Sequence, residues 1–177
     1  NLRVLPQQMP DGPKPYSHTW YSLRRYPTRP YPEAAAKDLK RHYNNIIGVK
    51  IGWPEFDGGT NVTKPIDFSD VKEAFRRFGI KGNHFLIKQP YKWFPKQLGK
   101  GSEWTDEEQE RFAYTMERVR EFFAENGVDV EHFSWYVDDE PSTDEAAEKV
   151  AAFGKRMQKA APEQRIFATV YSAASVE

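Results

Sequence analysis

The chain has 177 residues, which is enough for one domain with a substantial core. Its 26 Lys and Arg residues balance 26 Asp and Glu residues, so it lacks the basic excess that nucleic-acid surfaces and polybasic membrane anchors carry. No cysteine is present, which excludes disulfides and thiolate chemistry but leaves the compartment open. No apolar run reaches the length of a membrane span.

A change in composition marks the start of the predicted domain. Residues 1–16 are rich in Pro, Gln and Gly and predict an extended segment or a linker, so the domain is expected to span 17–177. Within it, short apolar runs alternate with amphipathic stretches. The pattern predicts strands over 18–24, 46–53, 83–89, 132–137 and 165–171, and helices over 32–45, 67–79, 105–127 and 142–161.

Residues with known capping preferences define the ends of these helices. Asp67 is the predicted N-cap of the second helix, and Gly79 ends it. Two capping boxes, in which a Ser or Thr precedes a Glu by three positions, are predicted to start the third and fourth helices. They are formed by Thr105 with Glu108 and by Ser142 with Glu145.

The alternation predicts an α/β fold built from parallel β/α units. Successive predicted strands lie roughly 30 to 50 residues apart, which suits right-handed crossovers. An open doubly wound sheet and a (β/α)8 TIM-type barrel both fit, but the absence of a Gly-x-Gly-x-x-Gly turn favours the barrel. A full barrel has eight strands and typically about 250 residues. With about five strands and four helices present, we expect the N-terminal part of a barrel that the remainder of a longer chain completes.

Three consecutive acids follow the fourth predicted strand. They are Asp138, Asp139 and Glu140, and the carboxyl ends of parallel strands form the functional rim of such folds. Ionising all three is costly, so the pKa of one should rise, as a general acid requires. The alternative is a structural role, because a helix dipole favours acids near its start by roughly 0.3–1 kcal/mol. Asp144 and Glu145, which follow Ser142, already fill that role. The triplet is therefore more than capping requires, which favours a catalytic function for it.

The hexapeptide "YVDDEP" over 136–141 resembles the catalytic strand of glycoside hydrolase family 123. The resemblance covers 17–177 in the order of elements, although only about ten residues are motif-like. It implies a barrel that hydrolyses 2-acetamido-2-deoxy-β-hexosides, and β-N-acetylgalactosaminides in particular, by substrate-assisted retaining catalysis. For such a glycosidase, an extracellular or periplasmic location is favoured.

The resemblance also implies roles for individual acids. Asp139 would orient the 2-acetamido group, whose oxygen attacks the anomeric carbon, and Glu140 would be the general acid and base. Neighbouring residues of a regular strand point to opposite faces, so the chain must leave the strand at Pro141 for both acids to meet one substrate. Asp138 is a further binding candidate, and whether it or Asp139 orients the acetamido group stays open.

Other residues at the predicted strand ends are candidate substrate-binding groups. Aromatic residues make up 15% of the chain, and flat rings stack on sugars as well as filling cores. The candidates at the ends of four predicted strands are Arg24, Trp53, Trp93 and Tyr171. The alternatives to substrate binding are a solvent-exposed surface position for Arg24 and ordinary packing for the three aromatic rings. The four histidines lack metal-ligand spacing, so neither a metal nor a cofactor is expected.

Two other functions remain open at this point. A conventional retaining glycosidase would use Glu140 as acid and base, with a nucleophilic carboxylate from a later strand. A non-catalytic carbohydrate-binding or assembly protein would keep the barrel as a scaffold, because a fold does not guarantee an activity.

Overall fold

A computed structural model describes residues 32–41, 45–88, 104–137 and 143–167. These residues form an α/β structure with four helices and six strands. The helices are α1 (Pro32–Arg41), α2 (Ser69–Phe78), α3 (Asp106–Glu125) and α4 (Asp144–Ala160). The strands are β1 (Ile46–Val49), β2 (Glu55–Phe56), β3 (Val62–Lys64), β4 (His84–Lys88), β5 (Phe133–Tyr136) and β6 (Arg165–Phe167). A short 3-10 helix, Val130–His132, precedes β5.

Four of the strands form one parallel sheet in the order β1-β4-β5-β6. All three pairings are parallel, and the order across the sheet follows the order along the chain. The remaining two strands, β2 and β3, form a separate antiparallel hairpin between β1 and α2. The predicted α/β class with a parallel sheet is therefore confirmed for the described residues.

One face of the sheet carries apolar side chains in register. Phe85 lies beside Ile47 on one side and Phe133 on the other, and all three are at most 3% exposed. Two positions further along each strand, a second row repeats the pattern. That row consists of Val49, Ile87, Trp135 and Ile166.

The helices cover this apolar face. The ring of Phe75 on α2 meets the ring of Phe85 edge-on, with centroids 4.7 Å apart. The ring of Phe123 on α3 stacks on that of Phe133, with centroids 4.3 Å apart. Helix α4 contacts the same face at Gly154, where a Cβ would lie 3.8 Å from Cδ1 of Ile166. The core therefore lies between one face of the sheet and these helices.

Of the four capping predictions, two are confirmed, one is wrong and one lies outside the described residues. The capping box at Thr105 is confirmed, since its side chain and that of Glu108 each accept the other residue's backbone N–H. Gly79 ends α2 with a φ of +77°, as predicted. Asp67 as the N-cap of α2 is wrong, because the cap is Phe68 and the Asp67 carboxylate instead accepts the Ser69 N–H at 2.9 Å. The other predicted box includes Ser142, which lies outside the described residues.

Strand β1 ends earlier than the predicted 53 because the chain turns toward α2. The backbone N–H of Lys50 donates to the Asp70 carboxylate at 2.8 Å, and Gly52 and Asp67 exchange two backbone hydrogen bonds of 2.8 Å. Helix α1 is described over Pro32–Arg41, and residues 42–44 of the predicted helix lie outside the described residues. The predicted strand over 18–24 lies outside the described residues.

The sequence did not predict the β2–β3 hairpin, whose strands are only two and three residues long. Its turn includes Gly58 with a φ of +101°, a conformation that favours glycine. The ring of Phe56 packs against that of Tyr114 on α3, with centroids 5.9 Å apart. The hairpin is thus held by α3 rather than by the main sheet. Within the described ranges, no helix combines the length and apolar character needed to cross a membrane.

Removing the Phe123 ring should destabilise the fold strongly. Its side chain is fully buried between α2, β4 and β5, so Phe123→Ala should lower the free energy of unfolding by about 3–5 kcal/mol. Chemical denaturation monitored by circular dichroism measures the change. The matched control is Phe56→Ala in the hairpin, which should cost clearly less because Phe56 is partly exposed. Equal costs would contradict this account of the core.

Candidate functional site

Most predicted site residues lie outside the described ranges. These are Arg24, Trp93, Asp138, Asp139, Glu140 and Tyr171. The structure does describe the strand that leads to the acids, because it includes β5 and Val137, the fully buried residue that follows β5. Strand β5 lies between β4 and β6, so the acids follow a central strand rather than an edge strand. The sheet around the carboxyl end of β5 is therefore the described part of the candidate site.

The sheet face opposite the helices differs from the apolar face. Alternate residues of β1, β4 and β5 point to this side, which we call the polar face. It consists of Ile46, Gly48, His84, Leu86, Lys88, Ser134 and Tyr136. Several of these groups are withdrawn from solvent, with Tyr136 only 1% exposed and Ser134 5% exposed. Buried polar side chains of this kind are expected where a sheet face encloses a site or an internal hydrogen-bond network.

At the amino end of the sheet, His84 and Ser134 form a hydrogen-bonded pair. Nε2 of His84 lies 2.7 Å from Oγ of Ser134, and both residues are buried. Burial lowers the pKa of His84, and the charges of Arg165 and His132 lower it further. A Ser–His pair can serve nucleophilic catalysis. This one lies at the amino end, where parallel α/β folds place stabilising rather than catalytic groups, so we interpret it as structural.

At the carboxyl end, Lys88 and Tyr136 occupy neighbouring positions on β4 and β5. The Lys88 side chain is partly buried and lies across Gly48 of β1. A Cβ on Gly48 would lie 2.2 Å from Cε and 2.6 Å from Nζ of Lys88. The sequence did not predict this pair, because both residues belong to predicted strands. The available signal was the lysine itself, a charged residue at the carboxyl end of β4.

Trp53 is the one predicted site residue that the structure describes. It follows β1 and stacks on Trp135, with ring centroids 6.0 Å apart and planes inclined by 26°. Trp135 belongs to the helix-covered face and is 1% exposed, so Trp53 packs against the core while remaining partly exposed. Its role in sugar binding stays a prediction. Within the described part of the chain, no acceptor lies within hydrogen-bonding distance of Nε1 of Trp135.

The grooves found in the described residues lie away from the polar face. Two of about 600 and 640 Å³ run between α3 and α4, and none of their lining residues belongs to the main sheet. Across the described ranges, no group of three or more His, Asp or Glu residues is placed to bind a metal ion. The carboxyl end of the polar face carries Lys88 and Tyr136, and the acid triplet follows β5 in the sequence, so this end is the best candidate site.

Neither the protein-family models nor the curated proteins match this chain. The strands carry Lys88 and Tyr136 at this end of the sheet, and the three acids follow Val137 in the sequence. Carboxyl groups of this kind can transfer protons.

The lowered pKa of His84 predicts a pH dependence of stability. An unfolded chain binds the proton near pH 6.5, whereas the folded chain binds it only at a lower pH. The free energy of unfolding should therefore decrease as the pH falls below about 6.5, until the folded-state pKa is passed. Urea denaturation between about pH 7.5 and pH 5 measures this slope.

The variant His84→Gln should flatten the slope, because it removes the titrating ring. The control is His132→Gln, since His132 is exposed and lies directly before β5. That variant should keep most of the pH dependence. An unchanged slope in His84→Gln would contradict the assignment.

Proposed function

We propose that this chain is the catalytic part of a glycoside hydrolase that acts on 2-acetamido-2-deoxy-β-hexosides, in particular β-N-acetylgalactosaminides. One observation carries the proposal: three acids directly follow the buried central strand of a parallel sheet. In parallel α/β proteins the carboxyl ends of the strands hold the ligand and the reacting groups. The "YVDDEP" resemblance adds the substrate class and the mechanism.

We also propose that the sheet is part of a (β/α)8 barrel. Two features support this. The order across the sheet follows the chain without a reversal, and α2, α3 and α4 contact the same face. A doubly wound sheet instead reverses its order and carries helices on both faces. A barrel has eight strands, so the proposal includes further β/α units in addition to the four parallel strands described.

The proposed reaction proceeds in two steps at the anomeric carbon. In the first, the 2-acetamido oxygen attacks that carbon while Glu140 donates its proton to the departing glycosidic oxygen. Asp139 accepts a hydrogen bond from the acetamido N–H and so orients the attacking group. In the second step, Glu140 takes a proton from water, which opens the cyclic oxazolinium intermediate and gives a product of retained configuration. Both acids belong to one strand end, so this scheme needs no carboxylate from another strand.

The remaining predicted residues complete the proposed site. Asp138 is the alternative orienting acid, and Arg24 and Tyr171 would donate hydrogen bonds to the sugar. Trp53 and Trp93 would offer ring faces for stacking on the apolar side of the pyranose. Since Trp53 already packs on Trp135, only its exposed part is available for this contact.

Replacing the proposed general acid should abolish turnover. In the intact protein that contains this chain, Glu140→Gln should lower kcat for an alkyl N-acetyl-β-galactosaminide by about 10²–10⁴-fold, because an amide cannot protonate the leaving oxygen. The matched control is Glu148→Gln on α4, an exposed residue outside the proposed site. It should retain wild-type activity. Full activity in Glu140→Gln would contradict the assignment of Glu140 as the general acid.

Substrate assistance predicts a strong dependence on the 2-substituent. An aryl β-galactoside with a 2-hydroxyl group should be hydrolysed far more slowly than its 2-acetamido counterpart, because it lacks the internal nucleophile. Steady-state rates on the two compounds measure the ratio. Equal rates would favour the conventional mechanism, in which a second protein carboxylate is the nucleophile. Binding of both sugars without turnover would indicate a carbohydrate-binding protein instead.

A further inference from the structure

Arg156 on α4 differs from the arginines of α2 and α3 in its charged contacts. Each arginine of α2 and α3 pairs with a glutamate three or four positions away on the same helix, as Arg118 does with Glu121. Helix α4 offers no such acid to Arg156, because the residues at these spacings are Ala152, Phe153, Lys159 and Ala160. Across the described ranges, no carboxylate lies within salt-bridge distance of Arg156. Its charge is therefore not neutralised by a described neighbour.

An aromatic ring holds the half-buried Arg156 side chain in place instead. The guanidinium carbon lies over the ring of Trp104, 4.5 Å from its centroid. The Trp104 ring in turn meets the ring of Phe112 edge-on, with centroids 4.9 Å apart, and Phe112 is buried in the core. A guanidinium held against a ring face keeps its N–H groups available to an acceptor. The core thus orients Arg156, although no residue in the described part of the chain accepts a hydrogen bond from it.

Arg156 and Lys159 line the groove of about 640 Å³ between α3 and α4. That volume lies in the range of small-ligand sites. The described lining also includes the small side chains of Ala113 and Ala160 and one acid, Glu110. Within the described residues, Glu110 forms no ion pair with either cation. With two cations against one acid, the charge of the lining favours an anion.

Neither cation is explained fully by its place in the helix. The dipole of α4 favours positive charge in the last turn, where Lys159 lies. The dipole does not account for the contact between Arg156 and Trp104, and two like charges three positions apart repel each other. An anion bound between the two cations would offset this repulsion, because both would be attracted to the same ligand.

We propose that this groove is a second ligand site, which binds a small anionic molecule through a carboxylate or phosphate group. The guanidinium of Arg156 donates two parallel hydrogen bonds to the oxygens, a geometry that suits both groups. Lys159 adds a second positive charge, and the apolar part of the ligand packs on Ala113 and Ala160. Trp104 is the positioning residue for Arg156. The inference goes beyond the proposed glycosidase function and does not rest on it.

The first experiment measures anion binding to the intact protein that contains this chain, by calorimetric titration with inorganic phosphate and with citrate at constant ionic strength. At least one anion should bind with a Kd of about 1 mM or below, and the tighter one shows whether the site prefers phosphate or carboxylate. Arg156→Gln should weaken binding by about 10- to 100-fold, the usual effect of losing charged hydrogen bonds. The matched control is Arg118→Gln, whose guanidinium is paired with Glu121. It should leave the affinity unchanged.

Two further variants test the charge of the groove and the positioning of the arginine separately. Glu110→Gln should tighten anion binding by about 2- to 10-fold, because it removes a like charge from the lining. Trp104→Leu should weaken binding, because Arg156 loses the ring that orients it. In an Arg156→Gln background the same change should add little, and an equal loss in both backgrounds would overturn the positioning role. Circular dichroism of each variant verifies that it is folded.

Three results would overturn the proposal. Absence of saturable binding of both anions up to about 10 mM would show that the groove is not an anion site. Equal affinity in the wild type and in folded Arg156→Gln would place the bound anion elsewhere on the protein. Weaker binding in Glu110→Gln would contradict the expected charge of the ligand. If Arg156→Gln does not fold, Arg156→Lys replaces it, and it too should weaken binding because an ammonium group lacks the rigid fork of donors.

Discussion

The contact between the aromatic residues of α2 and α3 and those of β4 and β5 is the interaction on which the rest of the structure depends. The rings of Phe75, Phe85, Phe123 and Phe133 form one cluster, with centroids 4.3 to 6.1 Å apart along its contacts. This cluster fixes which face of each strand the helices cover. A shift of one residue in register would reverse every side chain, so the same contact also determines which residues form the polar face.

The two ends of the polar face carry different polar groups. The His84–Ser134 pair at the amino end is buried, and the lowered pKa of the histidine keeps it uncharged near neutral pH. The carboxyl end carries the ammonium group of Lys88 beside Tyr136. The charged groups on the helix surfaces are arranged differently, as in Glu73, whose pKa falls to about 2 beside Arg76 and Arg77. The exposed pair with Arg76 contributes little to stability, whereas the Arg77 side chain is only 14% exposed.

Sequence reasoning predicted those features that depend on local patterns. The apolar spacing and the Thr105 capping box define α3 without reference to the rest of the chain, and the spacing of the strands predicted a parallel sheet. The early end of β1 was missed because it depends on Asp70, which is twenty residues away. The crossing of Lys88 over Gly48 was missed for the same reason, since only the pairing of β1 with β4 brings them together. The roles of the acid triplet stay predictions.

The burial of the polar face bears on the architecture as well as on the function. An open sheet with helices on one side would leave its other face to solvent, yet Tyr136, Ser134 and Leu86 are at most 5% exposed. Residues of this chain therefore already cover the polar face, and its burial does not depend on further strands. In the proposed barrel, the carboxyl end of this face would stay accessible to a ligand. Enclosure strengthens each charge–dipole contact because it excludes water, so the buried polar groups of this face interact more strongly with one another than they would on an exposed surface.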